Sequence, residues 1–171
     1  MFHPQQFSEE NPGNTIKVCG GLAKQREIAV GVITHCIEQL LPRHRTLWIE
    51  AEFKDLSKDE VLGYCYQTDH NFYTLELEKY QIVYDLITTT CHEMVHVKQG
   101  VRGELRERNL QQYWKGEAIK TVMTYNHLGP KVPWEREAWD KQYPLAHGYI
   151  RSTGNRVKNV KLVEDRCMEL Y

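Results

Sequence analysis

No stretch of the chain is apolar for long enough to cross a bilayer. Neither sign of charge dominates. The formal net charge is -1 over 171 residues, so bulk electrostatics draws the protein to neither nucleic acid nor an anionic membrane surface. No two cysteines have C-x-x-C spacing. Cys19, Cys36, Cys65, Cys91 and Cys167 are odd in number and scattered, which disfavours a disulfide framework and a cysteine-rich zinc ribbon. They read as free thiols, mostly buried. The first residues, MFHPQQFSEENPGN, lack the basic start and the apolar core of a signal peptide. Residues 1–18 therefore read as a loose polar arm, and a cytoplasmic protein is the expectation. Internal repeats and low-complexity tracts are also missing.

What is present suits one folded domain over residues 1–171. Hydrophobic residues make up 41% of the chain, with ten Tyr and four Trp, enough to bury a core and too many for a disordered chain. In GLAKQREIAVGVITHCIEQLLP, Leu22, Ile28, Ala29, Val32, Ile33, Cys36, Ile37 and Leu40 recur at helical spacing, and Pro42 suits a stop. The pattern predicts an amphipathic helix from about Gly21 to Leu41. TLWIEAEF, VLGYCYQT and FYTLELE are rich in β-branched and aromatic residues, and TDHN between the last two looks like a turn. They predict a small, mostly antiparallel sheet of about three strands.

YQIVYDLITTTCHEMVHVKQG follows. Ile82, Val83, Leu86, Ile87, Cys91, Met94 and Val95 form its helical apolar stripe, with Asp85, Thr89, His92, His96 and Gln99 on another face. Gly100 is placed to end this helix in a left-handed cap. NLQQYWKGEAIKTV is hairpin-like or extended, and Pro133 opens a further helix, PWEREAWDKQYPLAHG. Residues 150–171 form a tail the pattern does not place. The fold class is α+β.

The chemistry lies in CHEMVHVKQG. His92 and His96 are four apart, so an α-helix puts both imidazoles on one face, able to converge on one ion. Tetrahedral zinc suits two such ligands, and Glu93 beside them can take a proton from water whose pKa zinc lowers towards about 7. The bland alternative is a pair of surface histidines beside a helical glutamate. The match to H-E-x-x-H inside a strongly amphipathic helix weighs against it.

A catalytic zinc needs a third protein ligand. The metzincin continuation is excluded, because the positions it requires as Gly and His hold Gln99 and Arg102. Glu135, Glu137 and His127 remain. The two glutamates are two apart and cannot face the same way on a helix, so only one of them can serve. Either is otherwise an ordinary acid at a helix N-terminus.

HEMVHVKQ, the intervening YWKG and the later PWEREA together resemble short zincin metallopeptidases of the gluzincin sort, near the SprT-like and ImmA-like groups found in phages and bacteria. The resemblance spans roughly residues 20–150 and implies a zinc-dependent peptidase working in a bacterial or phage-infected cell. It implies His92 and His96 as ligands, Glu93 as general base, and Glu137, directly before Ala138, as third ligand, with Glu135 second choice. It also implies that the sheet's edge strand, with FYTLELE the candidate, pairs with extended substrate.

Two departures stand. No histidine lies between His96 and His127, where SprT-like enzymes carry one. Lys141 stands where thermolysin-like enzymes place an aspartate. Tyr125, His127, Tyr143 and His147 are candidates to stabilise an oxyanion. Asp85 and Thr89 are candidates to orient an imidazole. Two other readings compete. One is a zinc-bearing binding or structural module without turnover, which would not need Glu93. The other is a DNA-associated SprT-like protease, using Arg102, Arg106, Arg108 and Lys115 and a second run, Arg151, Arg156, Lys158 and Lys161. The near-neutral charge balance weakens it.

Overall fold

The computed structural model describes residues 13–120 and 132–156. It is an α+β protein in which, among the described residues, three helices accompany a four-stranded and a three-stranded sheet. The first sheet holds β1 (Thr15–Cys19), β2 (Trp48–Lys54), β3 (Gly63–Asp69) and β4 (Phe72–Glu78), in the order β1-β2-β4-β3. α1 (Ala23–Leu40) connects β1 to β2, and α2 (Val83–Val101) follows β4. Among the described residues no helix is long and apolar enough to cross a membrane.

This sheet differs from the sequence expectation in strand number and direction. β1 begins inside the stretch read as a polar arm and runs one residue past it. β1–β2 and β2–β4 are parallel, and only β3–β4 is an antiparallel hairpin. Alternation of apolar and polar residues shows which face of a strand is buried, but not its partner or direction. FYTLELE, expected at the edge, is β4 and lies between β2 and β3. The antiparallel edge is β3, GYCYQTD.

Buried and half-buried residues alternate along β2 and most of β4. Ile49, Ala51 and Phe53 of β2 and Tyr73, Leu75 and Leu77 of β4 face the core, where Ile33 and Cys36 of α1 and Met94 and Val95 of α2 meet them. Cys36 and Cys91 are both buried, with their sulfurs 3.8 Å apart. Gly20 and Gly21, at φ 71° and 60°, turn the chain from β1 into α1; a Cβ on Gly20 would come 2.7 Å from the Phe53 carbonyl oxygen. Gln25 accepts from the Leu22 N–H and donates to the Lys79 carbonyl, tying the start of α1 to the loop before α2.

Gly100 does not cap α2, because the helix runs on to Val101. A Cβ on Gly100 would come 2.6 Å from the Tyr73 hydroxyl oxygen, so its requirement is close packing on the sheet. Gly103, at φ 62°, makes the left-handed turn instead. Arg102 donates to the Leu40 carbonyl and anchors the end of α1, which occupies one of the cations read as a basic stretch. β5 (Leu105–Arg108), β6 (Gln111–Trp114) and β7 (Glu117–Ala118) then form a meander. Its two tight turns carry positive φ at Asn109, Leu110, Lys115 and Gly116. α3 (Pro133–Arg156) packs along α2, burying Trp134, Ala138, Gln142, Leu145 and Ala146, and continues beyond the helix the sequence suggested.

Candidate metal centre

α2 sets His92 and His96 one turn apart on the side that α3 covers. Their Nε2 atoms are 3.2 Å apart. The Glu135 carboxylate from the first turn of α3 reaches both, with Oε2 3.1 Å from His92 Nε2 and Oε1 3.2 Å from His96 Nε2. His92, His96 and Glu135 form a group that could hold a metal ion.

The outer ring nitrogens are held by glutamine carbonyls. His92 Nδ1 lies 3.0 Å from Gln142 Oε1, and His96 Nδ1 lies 2.9 Å from Gln99 Oε1. Gln99 has its orientation imposed, since its Nε2 donates to the Trp134 carbonyl and to Glu137 Oε2, each at 2.9 Å. Its carbonyl oxygen is therefore the atom that faces His96, and the His96 Nδ1–H donates to it. That tautomer leaves the Nε2 lone pair on the inner side.

The arrangement fits a tetrahedral divalent ion. The two inner nitrogens are 3.2 Å apart, and each faces its own oxygen of the Glu135 carboxylate, Oε2 at 3.1 Å for His92 and Oε1 at 3.2 Å for His96. The nitrogen–nitrogen distance is close to the edge, about 3.3 Å, of a tetrahedron with metal–ligand bonds of about 2.0–2.1 Å. Electron-rich atoms gathered this closely repel one another unless a cation or a proton lies among them. Without metal, protons fill the role. Burial resists a charged His96, but Glu135 outweighs it and holds the imidazolium up to about 9. Burial likewise opposes ionisation of Glu135, and its hydrogen bonds to His92 and His96 overcome it, holding the carboxyl down at about 2.

Glu93 is buried on the neighbouring side of α2, against the edge strand. Burial raises its carboxyl pKa, and the electrostatic pull of His96 and His92 works the other way. Gly63 of β3 lies over it: a Cβ there would come 3.0 Å from Glu93 Oε1 and 2.7 Å from Thr89 Cγ2. The metal-facing row of α2 thus runs between β3 on one side and α3 on the other.

Glu137 is not brought to the histidines. It pairs with the Lys98 ammonium at 2.7 Å and accepts from Gln99. Lys98 has only 5% of its side chain exposed and also reaches Glu104 at 2.6 Å. One turn of α3 cannot point both acids the same way, and the buried cation on the other side of α2 takes Glu137. Its ionised form is favoured there against the opposing cost of burial. The acid taken as second choice, Glu135, is the one that meets the imidazoles. His127 and Tyr125 lie outside the described residues.

Asp85 and Thr89 do not orient the imidazoles. Thr89 donates to Gln81, and the groups at the outer nitrogens are Gln99 and Gln142. The sequence held a signal for both: Gln99 follows His96 by three residues on the same helix, and Gln142 is two turns beyond Glu135. Tyr143 and His147, named for an oxyanion, sit on α3. His147 Nε2 lies 3.3 Å from the Tyr84 hydroxyl oxygen. No family model matches this chain, nor does any curated protein or solved structure.

Proposed function

We propose that the protein is a zinc-dependent metallopeptidase, with His92, His96 and Glu135 as its metal ligands and Glu93 as its general base. One observation carries the reading: two imidazole nitrogens converge on one carboxylate within 3.1–3.2 Å, the outer ring nitrogens are held by amides, and a second, buried carboxylate lies on the next residue of α2. The zincin likeness of the sequence supports it, and so does the antiparallel edge strand lying over Glu93.

Zinc held by His92, His96 and Glu135 would supply Lewis acidity, which polarises a peptide carbonyl and lowers the pKa of water towards the neutral range. Glu93 accepts a proton from the attacking water on a carboxylate oxygen and delivers it to the departing amide nitrogen. Gln99 and Gln142 keep the imidazoles from rotating and hold the proton on their outer nitrogens. β3 is the edge strand of the four-stranded sheet among the described residues, and an extended chain would pair along it as an added strand. Gly63, lacking a side chain, lets that edge approach Glu93 closely.

The test begins with zinc content by mass spectrometry of wild type, His92→Ala and Glu135→Ala, followed by a digest of unfolded protein substrates with Glu93→Gln as control. The reading expects about one zinc per wild-type chain. It expects none in the two alanine variants, and cleavage by wild type only. Absence of zinc after loading and dialysis would sink it. Zinc without cleavage, across a broad substrate set, would leave a binding module.

A further inference from the structure

α2 and α3 run antiparallel beside the centre, so residues that ascend α3 meet residues that descend α2. Glu135 meets His96, the Trp139 ring packs edge-on against His92 with centroids 5.9 Å apart, and His147 meets Tyr84. Glu135, Trp139, Tyr143 and His147 succeed one another at intervals of four, one stripe covering about 18 Å of helix. Tyr84, Thr88, His92 and His96 form the matching stripe on α2. The stripe on α3 begins at a metal-facing acid and continues as aromatic surface.

That surface is open. Trp139 is 44% exposed, Tyr143 43% and Tyr84 41%, while the apolar residues beneath them, Leu86, Cys91, Ala138 and Ala146, are buried. Large exposed rings gathered on one patch mark a contact surface more often than singly scattered ones. On the other side β3 packs tightly on α2, where a single Cβ on Gly63 would already press on Thr89 and Glu93. The exposed rings therefore lie on the α3 side of the centre, where they can meet a bulky side chain of a polypeptide held there.

We infer that Trp139, Tyr143 and Tyr84 form the surface that selects substrate, and that it takes a polypeptide carrying a large apolar or aromatic side chain beside the bond held at the centre. The inference rests on the peptidase reading for what happens to that bond, and on geometry alone for what binds. The rings suit such an occupant because they are rigid, lose little entropy on contact, and present polar tips to the backbone of an extended chain.

The test separates binding from turnover. Fluorescent decapeptides of Gly, Ser and Lys, with Phe, Leu, Ala or Asp at one central position, are titrated into zinc-loaded Glu93→Gln protein and followed by anisotropy. The same peptides are incubated with wild type and examined by mass spectrometry. Both are repeated on a Tyr84→Ser, Tyr143→Ser background, whose zinc content and thermal transition report whether it is folded. A Trp139→Leu background supplies an independent variant if that pair does not fold. The Phe and Leu peptides are expected to bind about tenfold or more tightly than the Ala and Asp peptides, a preference a hydrophobic pocket readily produces. The serine variants should erase it.

Preferential binding without cleavage would support this surface and count against the peptidase. Cleavage that ignores the central side chain would do the reverse. Binding preference that survives in the folded variants would overturn the inference, as would failure of every peptide to bind. A concentration-dependent dimer that the serine substitutions dissolve would overturn it too, giving the surface to a second copy of the chain.

Discussion

Gln99 donates from Nε2 to Glu137 Oε2 at 2.9 Å, and that bond turns its carbonyl towards His96 Nδ1. Glu137 thus bears on the candidate centre through an amide and does not itself reach the imidazoles. Glu135→Gln should abolish stoichiometric zinc binding. Glu137→Gln should keep the stoichiometry and weaken affinity about 10- to 100-fold, the usual cost of disturbing a group behind a ligand. Competition with a chromophoric chelator measures both. Zinc lost from Glu137→Gln and retained by Glu135→Gln would return Glu137 to the ligand set.

Glu137 also has a structural task. It shares the Lys98 ammonium with Glu104, and Lys98 is almost wholly enclosed. Glu137→Ala removes one of two carboxylates from a buried cation and an acceptor from Gln99. Complete loss of partners would cost about 3–5 kcal/mol, and the surviving Glu104 should hold the loss to about 1–3 kcal/mol. A urea titration should show a lower midpoint at an unchanged slope. An unchanged midpoint would mean that Lys98 reaches water when Glu137 is gone.

Much of this was legible from residue order. Helical periodicity located α1 and α2, β-branched and aromatic composition between turns located β2 and β3, alternation located β4, and the four-residue spacing of His92 and His96 pointed to the candidate centre. β1 escaped because TIKVC is short and adjoins a polar segment. Sheet order escaped because parallel pairing joins residues far apart in sequence, which local alternation does not encode. The third acid turned on the phase of α3. Trp134, Ala138, Gln142 and Ala146 set its buried line; Glu135 flanks that line towards His92, and Glu137 flanks it towards Lys98. The Ala following Glu137 favoured that acid in the zincin resemblance, whereas the structure sets Glu135 against the imidazoles and Glu137 against Lys98. Lys98, a buried cation needing an acid, was the counter-signal.

Metal-free protein should lose stability on both sides of a plateau. Glu135 has a depressed carboxyl, so its contribution is present above the ordinary carboxylate value of 4.5 and lost as pH falls through about 2. His96 has a raised imidazole, so its contribution is complete below 6.5 and lost as pH rises through about 9. Glu93, the other charged group facing them, favours protonated His96 and adds to the alkaline loss. Chemical denaturation of chelator-treated protein should therefore peak between about 4.5 and 6.5. Zinc should remove the alkaline decline, because metal then replaces the proton. An alkaline decline of equal size with and without zinc would contradict the assignment.

Gly63 offers a probe of the edge strand that leaves every charged group in place. A Cβ there would come 2.7 Å from Thr89 Cγ2, 3.0 Å from Glu93 Oε1 and 3.2 Å from the Glu76 carbonyl oxygen. Two of these three atoms belong to α2, which is fixed by its packing against α1, α3 and the sheet. Among the described residues β3 is paired on one side only, and it has more freedom to give way. Gly63→Ala should therefore lift the edge off α2 and turn the Glu93 carboxylate, costing about 1–3 kcal/mol of stability. Zinc affinity should stay near wild type, because the three ligands lie on α2 and α3. Any peptide hydrolysis should drop well beyond what the lost stability explains. Chelator competition, urea titration and cleavage assay on the one variant separate these effects. A variant as active as wild type would show that β3 need not approach Glu93 so closely for the reaction.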